Sequence, residues 1–245
     1  MDKDLMFESV QAEAESDPNI IGFILVAGRG KGFSTEHSDY DVIIVVNDGR
    51  EIEYREKYSG FTDTSDVYIK VLSLAEFRDY ANWGSGFEWD RYNFTHLKAQ
   101  IDKAGEIQKL IEEKGKLPEE KIKEVVSGNL DAYINSFHRS MKNCRDNNAI
   151  ASLLDAAESV PLLLVALFAL EGRVKPYNKY LEWELKNYPL VNLVWGSEEF
   201  IGKLRAVVCM GDVEVQKEVF NKVKDIFRKK GFDDIINGWN SYYMG

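Results

Sequence analysis

The sequence predicts an α+β fold, in which a small mixed β-sheet with flanking helices is followed by a C-terminal helical bundle. Short apolar runs bounded by turn-forming residues are confined to the first part of the chain, where they predict strands. Apolar residues at helical spacing dominate the remainder. The 245 residues, 44% of them hydrophobic, suffice for two domains, which we place at residues 1–95 and 96–245.

The first domain alternates helices and strands. A helix is expected at residues 5–14, and the capping-box spacing of Ser73 and Glu76 predicts another that continues to about Trp83. Two strands are continuous apolar runs, and the third alternates apolar with polar residues. The three predicted strands are residues 20–26, 41–46 and 67–71.

The second domain carries almost no strand signal. Pro118 is typical of a helix start, and Gly172 of the end of the most apolar helix. Helical spacing of apolar residues predicts several helices, namely one that begins at Pro118 and others at residues 149–170, 178–187, 197–210 and 213–230.

Composition argues against several classes of function. The net charge of −10 disfavours nucleic-acid binding, because phosphate backbones need clustered basic side chains. The longest apolar run, residues 160–170, is shorter than the roughly 20 residues of a membrane-spanning helix, so no membrane partner is expected. Cys144 and Cys209 lie far apart, and the N-terminus lacks the pattern of a signal peptide, so a cytoplasmic location is expected.

Acidic residues at the start of two predicted strands suggest a metal site. Asp39 and Asp41 are two positions apart on one strand, so their carboxylates point to the same face. A divalent cation relieves their mutual repulsion, and Mg²⁺ prefers such hard oxygen ligands. Asp66, with Asp63 as a nearby alternative, adds a third carboxylate if its strand lies beside that of Asp41.

A glycine-rich segment precedes these aspartates. Glycines allow backbone N–H groups to approach phosphate oxygens, which places Gly28 at a candidate nucleotide site. Arg29 and Lys31 are candidates to offset phosphate charge, with ordinary exposed loop charges as the alternative. The spacing is neither that of a P-loop nor that of a dinucleotide-binding fold.

The segment GRGKGFSTEHSDYDVIIVV, residues 28–46, resembles the signature of the polymerase-β-type nucleotidyltransferase superfamily. The resemblance includes Ser38 before Asp39 and continues to about residue 75. The helical half looks like the small-molecule branch, which includes aminoglycoside, kanamycin and lincosamide nucleotidyltransferases. The residues that carry this second similarity are 167–173, 175–181 and 231–239.

The resemblance implies a Mg²⁺-dependent enzyme that moves a nucleoside monophosphate, most simply AMP from ATP, to a hydroxyl of a small-molecule acceptor. Asp39, Asp41 and Asp66 then hold the metal, and Gly28, Arg29, Lys31 and Ser38 contact the nucleotide. The family has Gly-Ser where this chain has Ala27-Gly28, so a serine hydroxyl is missing. The rival functions are modification of a partner protein, as in antitoxin-like members, and nucleotide binding without transfer.

The helical half supplies two further candidates. Glu158, three residues after Asp155 on one helix face, is the candidate general base, with a salt bridge to Arg139 or Arg145 as the alternative. Lys179 is a candidate phosphate ligand or an ordinary surface lysine. The aromatic group Phe87, Trp89, Tyr92 and Phe94 is expected in the core, the alternatives being stacking on a nucleobase and lining of the acceptor pocket.

Overall fold

The computed structural model describes residues 2–61 and 66–243, with side chains through Trp239. It divides into two compact units, Met1–Lys116 and Leu117–Gly245. The first unit contains, in chain order, α1 (Lys3–Ser16), β1 (Ile20–Leu25), α2 (Ala27–Gly30), β2 (Tyr40–Val46), α3 (Glu51–Lys57), β3 (Val67–Ser73), α4 (Leu74–Asp79), a 3₁₀ helix (Glu88–Phe94), β4 (Ile101–Asp102) and α5 (Ile107–Lys114).

The second unit is helical throughout its described part. Its elements are α6 (Glu119–Arg145), α7 (Ala149–Leu170), a 3₁₀ turn (Asn178–Tyr180), α8 (Leu181–Asn187), α9 (Ser197–Met210), α10 (Val213–Lys229) and α11 (Asp233–Tyr243). The chain is therefore an α+β protein with a mixed sheet and a helical C-terminal part, as its sequence pattern predicts.

The sheet has the strand order β3-β2-β1-β4. β1 runs antiparallel to both β2 and β4, whereas β2 and β3 are parallel. Alternate residues enter two cores: Phe23 and Val42 pack on the side of α1 and α3, and Ile24 and Ile43 pack on the side of α4 and α5. Asp41 and Lys70 lie on the second of these faces, because they alternate with residues of the first core.

The boundary between the units lies later than the sequence pattern predicts. The expected division at 95/96 falls inside the first unit, because residues 101–116 pack on the sheet. β4 pairs with β1, Ile107 and Ile111 enter the second core, and Arg91 donates to the carbonyl oxygens of Glu113 and Lys116. A two-residue strand has no detectable alternation, which is why the sequence gives no signal for β4.

Several local predictions differ from the structure. The capping box at Ser73 is present, but its helix ends at Asp79 and not near Trp83. The glycine-rich segment begins as the single helical turn α2 and is not a loop from its first residue. The helices α3, α5 and α11 also lack a sequence prediction. By contrast, α7 and α9 have the predicted bounds.

Within the described residues, α7 is the one helix long and apolar enough to span a membrane. Just over half of its most apolar stretch is buried, and Leu163, Leu167 and Phe168 belong to the core of the second unit. The core helix of a globular protein meets the same criterion of length and composition. This helix therefore does not by itself indicate a membrane partner.

Candidate functional site

The sheet topology brings three chain segments to one end of the sheet. Because β1 is antiparallel to β2, with Leu25 opposite Val42, the end of β1 lies beside the beginning of β2. Because β3 is parallel to β2, with Asp41 opposite Tyr68, the beginning of β3 lies there too. The glycine-rich turn after β1 and the acidic residues that begin β2 and β3 therefore lie at the same end.

Asp39, Asp41 and Asp66 are close in this arrangement. Asp39 directly precedes β2, Asp66 directly precedes β3, and the backbone N–H of Tyr40 donates to the carbonyl oxygen of Asp66 at 2.9 Å. The side chains of Asp39 and Asp66 are exposed and that of Asp41 is half-buried. Asp63, the alternative to Asp66, lies outside the described residues.

The three carboxylates share one end of the sheet without forming a ligand cluster. Among residues 2–61 and 66–243, no group of three or more His, Cys, Asp or Glu side chains is arranged to hold a metal ion. The residue of β3 in register with Asp41 is Tyr68, whereas Asp66 is level with Asp39.

The glycine-rich turn is tied to the strand that carries the aspartates. The N–H of Val26 donates to the carbonyl oxygen of Asp41 at 2.8 Å, and the N–H of Phe33 closes the turn on the carbonyl of Gly28 at 2.8 Å. Ala27 has φ of 54°, in the left-handed region that favours glycine. The first residue of the turn is therefore strained.

Replacing Ala27 by glycine is expected to stabilise the protein. Relief of the left-handed strain contributes about 1–2 kcal/mol, and the extra freedom of glycine in the unfolded chain offsets about half of it. The free energy of unfolding in urea should therefore rise by about 0.5–1 kcal/mol. A decrease in the variant would contradict the strained conformation.

Arg29 and Ser38 brace the segment between the turn and β2. The Arg29 guanidinium donates from Nε and Nη2 to the carbonyl oxygen of Ser38 at 3.1 and 2.9 Å, and lies 3.9 Å from the centre of the Tyr40 ring. The Ser38 hydroxyl accepts from the N–H of Thr35 at 2.9 Å. Both residues therefore hold the chain that leads into Asp39.

Lys31 is not placed at a phosphate site, contrary to the sequence-based assignment. Its side chain is buried, with 7% of the residue exposed. Its ammonium donates to the carbonyl oxygens of Tyr92, Asn93 and Thr95, at 2.9 Å for Tyr92 and 3.3 Å for Asn93. These acceptors lie at the end of the 3₁₀ helix Glu88–Phe94, so Lys31 joins that helix to the glycine-rich turn.

Replacing Lys31 by methionine is expected to lower the free energy of unfolding by about 1–3 kcal/mol, because buried carbonyl groups lose their charged donor. Urea denaturation measures the change. The matched control is Lys109→Met, since the Lys109 side chain is 78% exposed on α5. Equal stability of the two variants would refute the structural role of Lys31.

Glu158 forms a salt bridge with Arg139, which is the alternative that the sequence offers to its role as a general base. Arg139 contacts Asp155 and lies 3.0 Å from Glu158, whereas Arg145 pairs with Asp146. Asp155 is buried and also accepts from Asn143. The Glu158 side chain is half exposed, so its carboxylate also faces solvent.

Lys179 is exposed within the second unit. It lies on the 3₁₀ turn Asn178–Tyr180, with its ammonium 4.7 Å from the centre of the Tyr180 ring. Like Glu158, it belongs to the helical unit and not to the unit that carries the aspartates.

The structure adds polar residues that the motif does not contain. Lys70, two residues after Tyr68, is on the same face of β3 and donates to the Tyr80 hydroxyl at 2.6 Å. The Tyr80 hydroxyl in turn donates to the buried carboxylate of Asp90. Alternation along β3 is a sequence signal for Lys70, but Tyr80 and Asp90 have none.

Comparison with models of known protein families gives no match, and comparison with curated proteins gives none either. A solved structure that resembles the chain is a nucleotidyltransferase-like protein from Exiguobacterium sibiricum, with a TM-score of 0.40 and 9% identity. The alignment covers 94% of this chain and 73% of the other. Similarity at this level does not indicate a function.

Proposed function

We propose that the chain is a Mg²⁺-dependent nucleotidyltransferase that moves AMP from ATP to a hydroxyl group of a small, aminoglycoside-like acceptor. One observation carries the proposal. The parallel pairing of β2 with β3, together with the antiparallel pairing of β1 with β2, brings the glycine-rich turn, Asp39, Asp41 and Asp66 to one end of the sheet.

The donor set fits magnesium. Mg²⁺ takes oxygen ligands and commonly binds one or two protein carboxylates together with substrate phosphates. Asp41 in β2 and Asp39 directly before that strand offer two such carboxylates, and Asp66 is the candidate for a third. When bound, the ion would neutralise the charge that develops on the α-phosphate and the pyrophosphate.

In the proposed reaction, the acceptor hydroxyl oxygen forms a bond to the α-phosphorus of ATP. The bond from that phosphorus to the bridging oxygen breaks, and pyrophosphate leaves with its electron pair. The hydroxyl proton passes to a general base. Positioning of the two substrates supplies most of the remaining acceleration.

The phosphates are proposed to lie against the glycine-rich turn. Gly28 has no side chain, so phosphate oxygens can approach its backbone. Arg29 places positive charge beside the segment that contains Asp39, because its guanidinium is bound to the Ser38 carbonyl.

The test is a transfer assay with the full chain. Incubation with Mg²⁺, ATP labelled in the adenosine part and a panel of aminocyclitols should give acceptor-dependent pyrophosphate release and a labelled product. A chelator should stop both. If no acceptor in the panel yields pyrophosphate above the acceptor-free rate, small-molecule transfer is refuted.

Nucleotide binding without transfer is the second candidate. Two features favour it: Gly28 stands where the resembling family has serine, and Tyr68 occupies the position of β3 in register with Asp41. A site without the serine hydroxyl, and without a carboxylate opposite Asp41, can still bind a nucleotide. Such a site stabilises the bound nucleotide but does not selectively stabilise the transition state.

Gly28→Ser is expected to raise the rate of pyrophosphate release about tenfold, because a hydrogen bond to a charged phosphate contributes about 1.5–3 kcal/mol. Gly60→Ser, in the same unit at a position where an added Cβ meets nothing within 4 Å, is the control for a nonspecific effect of the substitution. Tight ATP binding with no release in either the original chain or the Gly28 variant would favour the second candidate.

A further inference from the structure

The aromatic group in residues 87–94 is divided by the structure. Tyr92 and Phe94 are in the core, with 0% and 1% of their surface exposed. Phe87 and Trp89 are 47% and 64% exposed. The prediction that the group lies in the core is therefore confirmed for Tyr92 and Phe94 and is wrong for Phe87 and Trp89.

Phe87 lies on the face of the sheet that carries Asp41. The Phe87 ring centre is 5.5 Å from that of Tyr80, whose hydroxyl accepts from Lys70. Lys70 is one strand over and two residues along from Asp41, a separation of about 8 Å from the strand spacing and rise. Phe87 therefore contacts Tyr80, and Tyr80 is hydrogen-bonded to Lys70, which is the residue about 8 Å from Asp41.

The segment that carries the pair is anchored on two sides. Lys31 ties the 3₁₀ helix Glu88–Phe94 to the glycine-rich turn, through the carbonyl oxygens of Tyr92 and Asn93. The Tyr80 hydroxyl bonds the Asp90 carboxylate and so ties the same helix to β3. Both anchors are buried, so the exposed rings are carried on a fixed support.

We propose that Phe87 and Trp89 form a stacking platform for the nucleobase of the triphosphate, an inference that rests on the proposed function. The carboxylates and the glycine-rich turn account for the phosphates but offer nothing to a base. A nucleobase presents a flat π-face, and aromatic side chains bind such a face whatever the base. The platform supplies the missing half of a nucleotide site.

Calorimetric titrations of the full chain in Mg²⁺ with ATP and with inorganic tripolyphosphate test the platform. Phe87→Ala and Trp89→Ala should each weaken ATP binding about tenfold and leave tripolyphosphate binding unchanged, because only ATP has a base to stack. Trp89→Phe should restore most of the ATP affinity. Tyr188→Ala, which removes an exposed ring from the helical unit, is the matched control.

Three results would overturn the platform. Unchanged ATP affinity in a variant that carries both Phe87→Ala and Trp89→Ala, with tripolyphosphate still bound, would remove the platform and leave the proposed function standing. An equal loss for both ligands would show that the rings act on the phosphates or on the fold, which a thermal melt of each variant identifies. Failure of the original chain to bind either ligand would refute the proposed function and the platform together.

Discussion

Asp39→Asn and Asp41→Asn are each expected to reduce nucleotidyl transfer by at least about a hundredfold. Each substitution removes a carboxylate ligand of the metal, and loss of one preorganised group at a developing charge costs about 10²–10³ in rate. Asp39 is exposed and Asp41 is half-buried, and asparagine has nearly the same shape as aspartate, so the fold should be retained. The measurement is acceptor-dependent pyrophosphate release, beside a thermal melt of each variant.

The melting temperatures of these variants also report on charge repulsion and Mg²⁺ binding at the site. Without Mg²⁺, removing one of two neighbouring like charges should leave the melting temperature unchanged or raise it. Added Mg²⁺ should raise the melting temperature of the original chain more than that of either variant. Asp225→Asn, on the exposed side of α10, is the control for the loss of one negative charge. Full activity of either site variant would remove the metal assignment.

Gly30→Ala is expected to lower the free energy of unfolding by about 3 kcal/mol, at the upper end of overpacking effects. A Cβ at this position would overlap the carbonyl oxygen of Leu25 and lie 2.8 Å from its carbonyl carbon and 2.9 Å from Cδ2 of Leu97. The backbone of β1 cannot retreat without breaking its pairing with β2. Urea denaturation measures the change.

The same substitution should also impair the site, since Gly30 lets the turn pack closely against the end of β1. The matched control is Gly128→Ala in α6, where a Cβ meets nothing within 4 Å and alanine favours the helix. That variant should be neutral or up to about 1 kcal/mol more stable. A Gly30 variant as stable as the Gly128 variant would contradict the close packing of the turn.

Much of the fold follows from local pattern. The alternation of residues 67–71 predicts β3, the capping-box spacing predicts the start of α4, and α7 has the expected bounds. These features depend on neighbours within a few positions, so a single sequence carries them. Elements with few apolar residues or only two positions, such as α3 and β4, leave no such signal.

The sequence by itself determined the strand that contains Asp41, because the apolar run that follows this residue is a local signal. Tertiary structure alone decided that β3 lies parallel to β2, which sets Tyr68 beside Asp41 and Asp66 level with Asp39. It also decided that Lys31 is buried.

The acceptors of Lys31 lie more than 60 positions along the chain. A lysine in a glycine-rich segment has the same local surroundings whether it meets a phosphate or a distant helix end. Only the packing of that helix against the turn distinguishes the two, because a buried ammonium is stable where carbonyl oxygens replace its water.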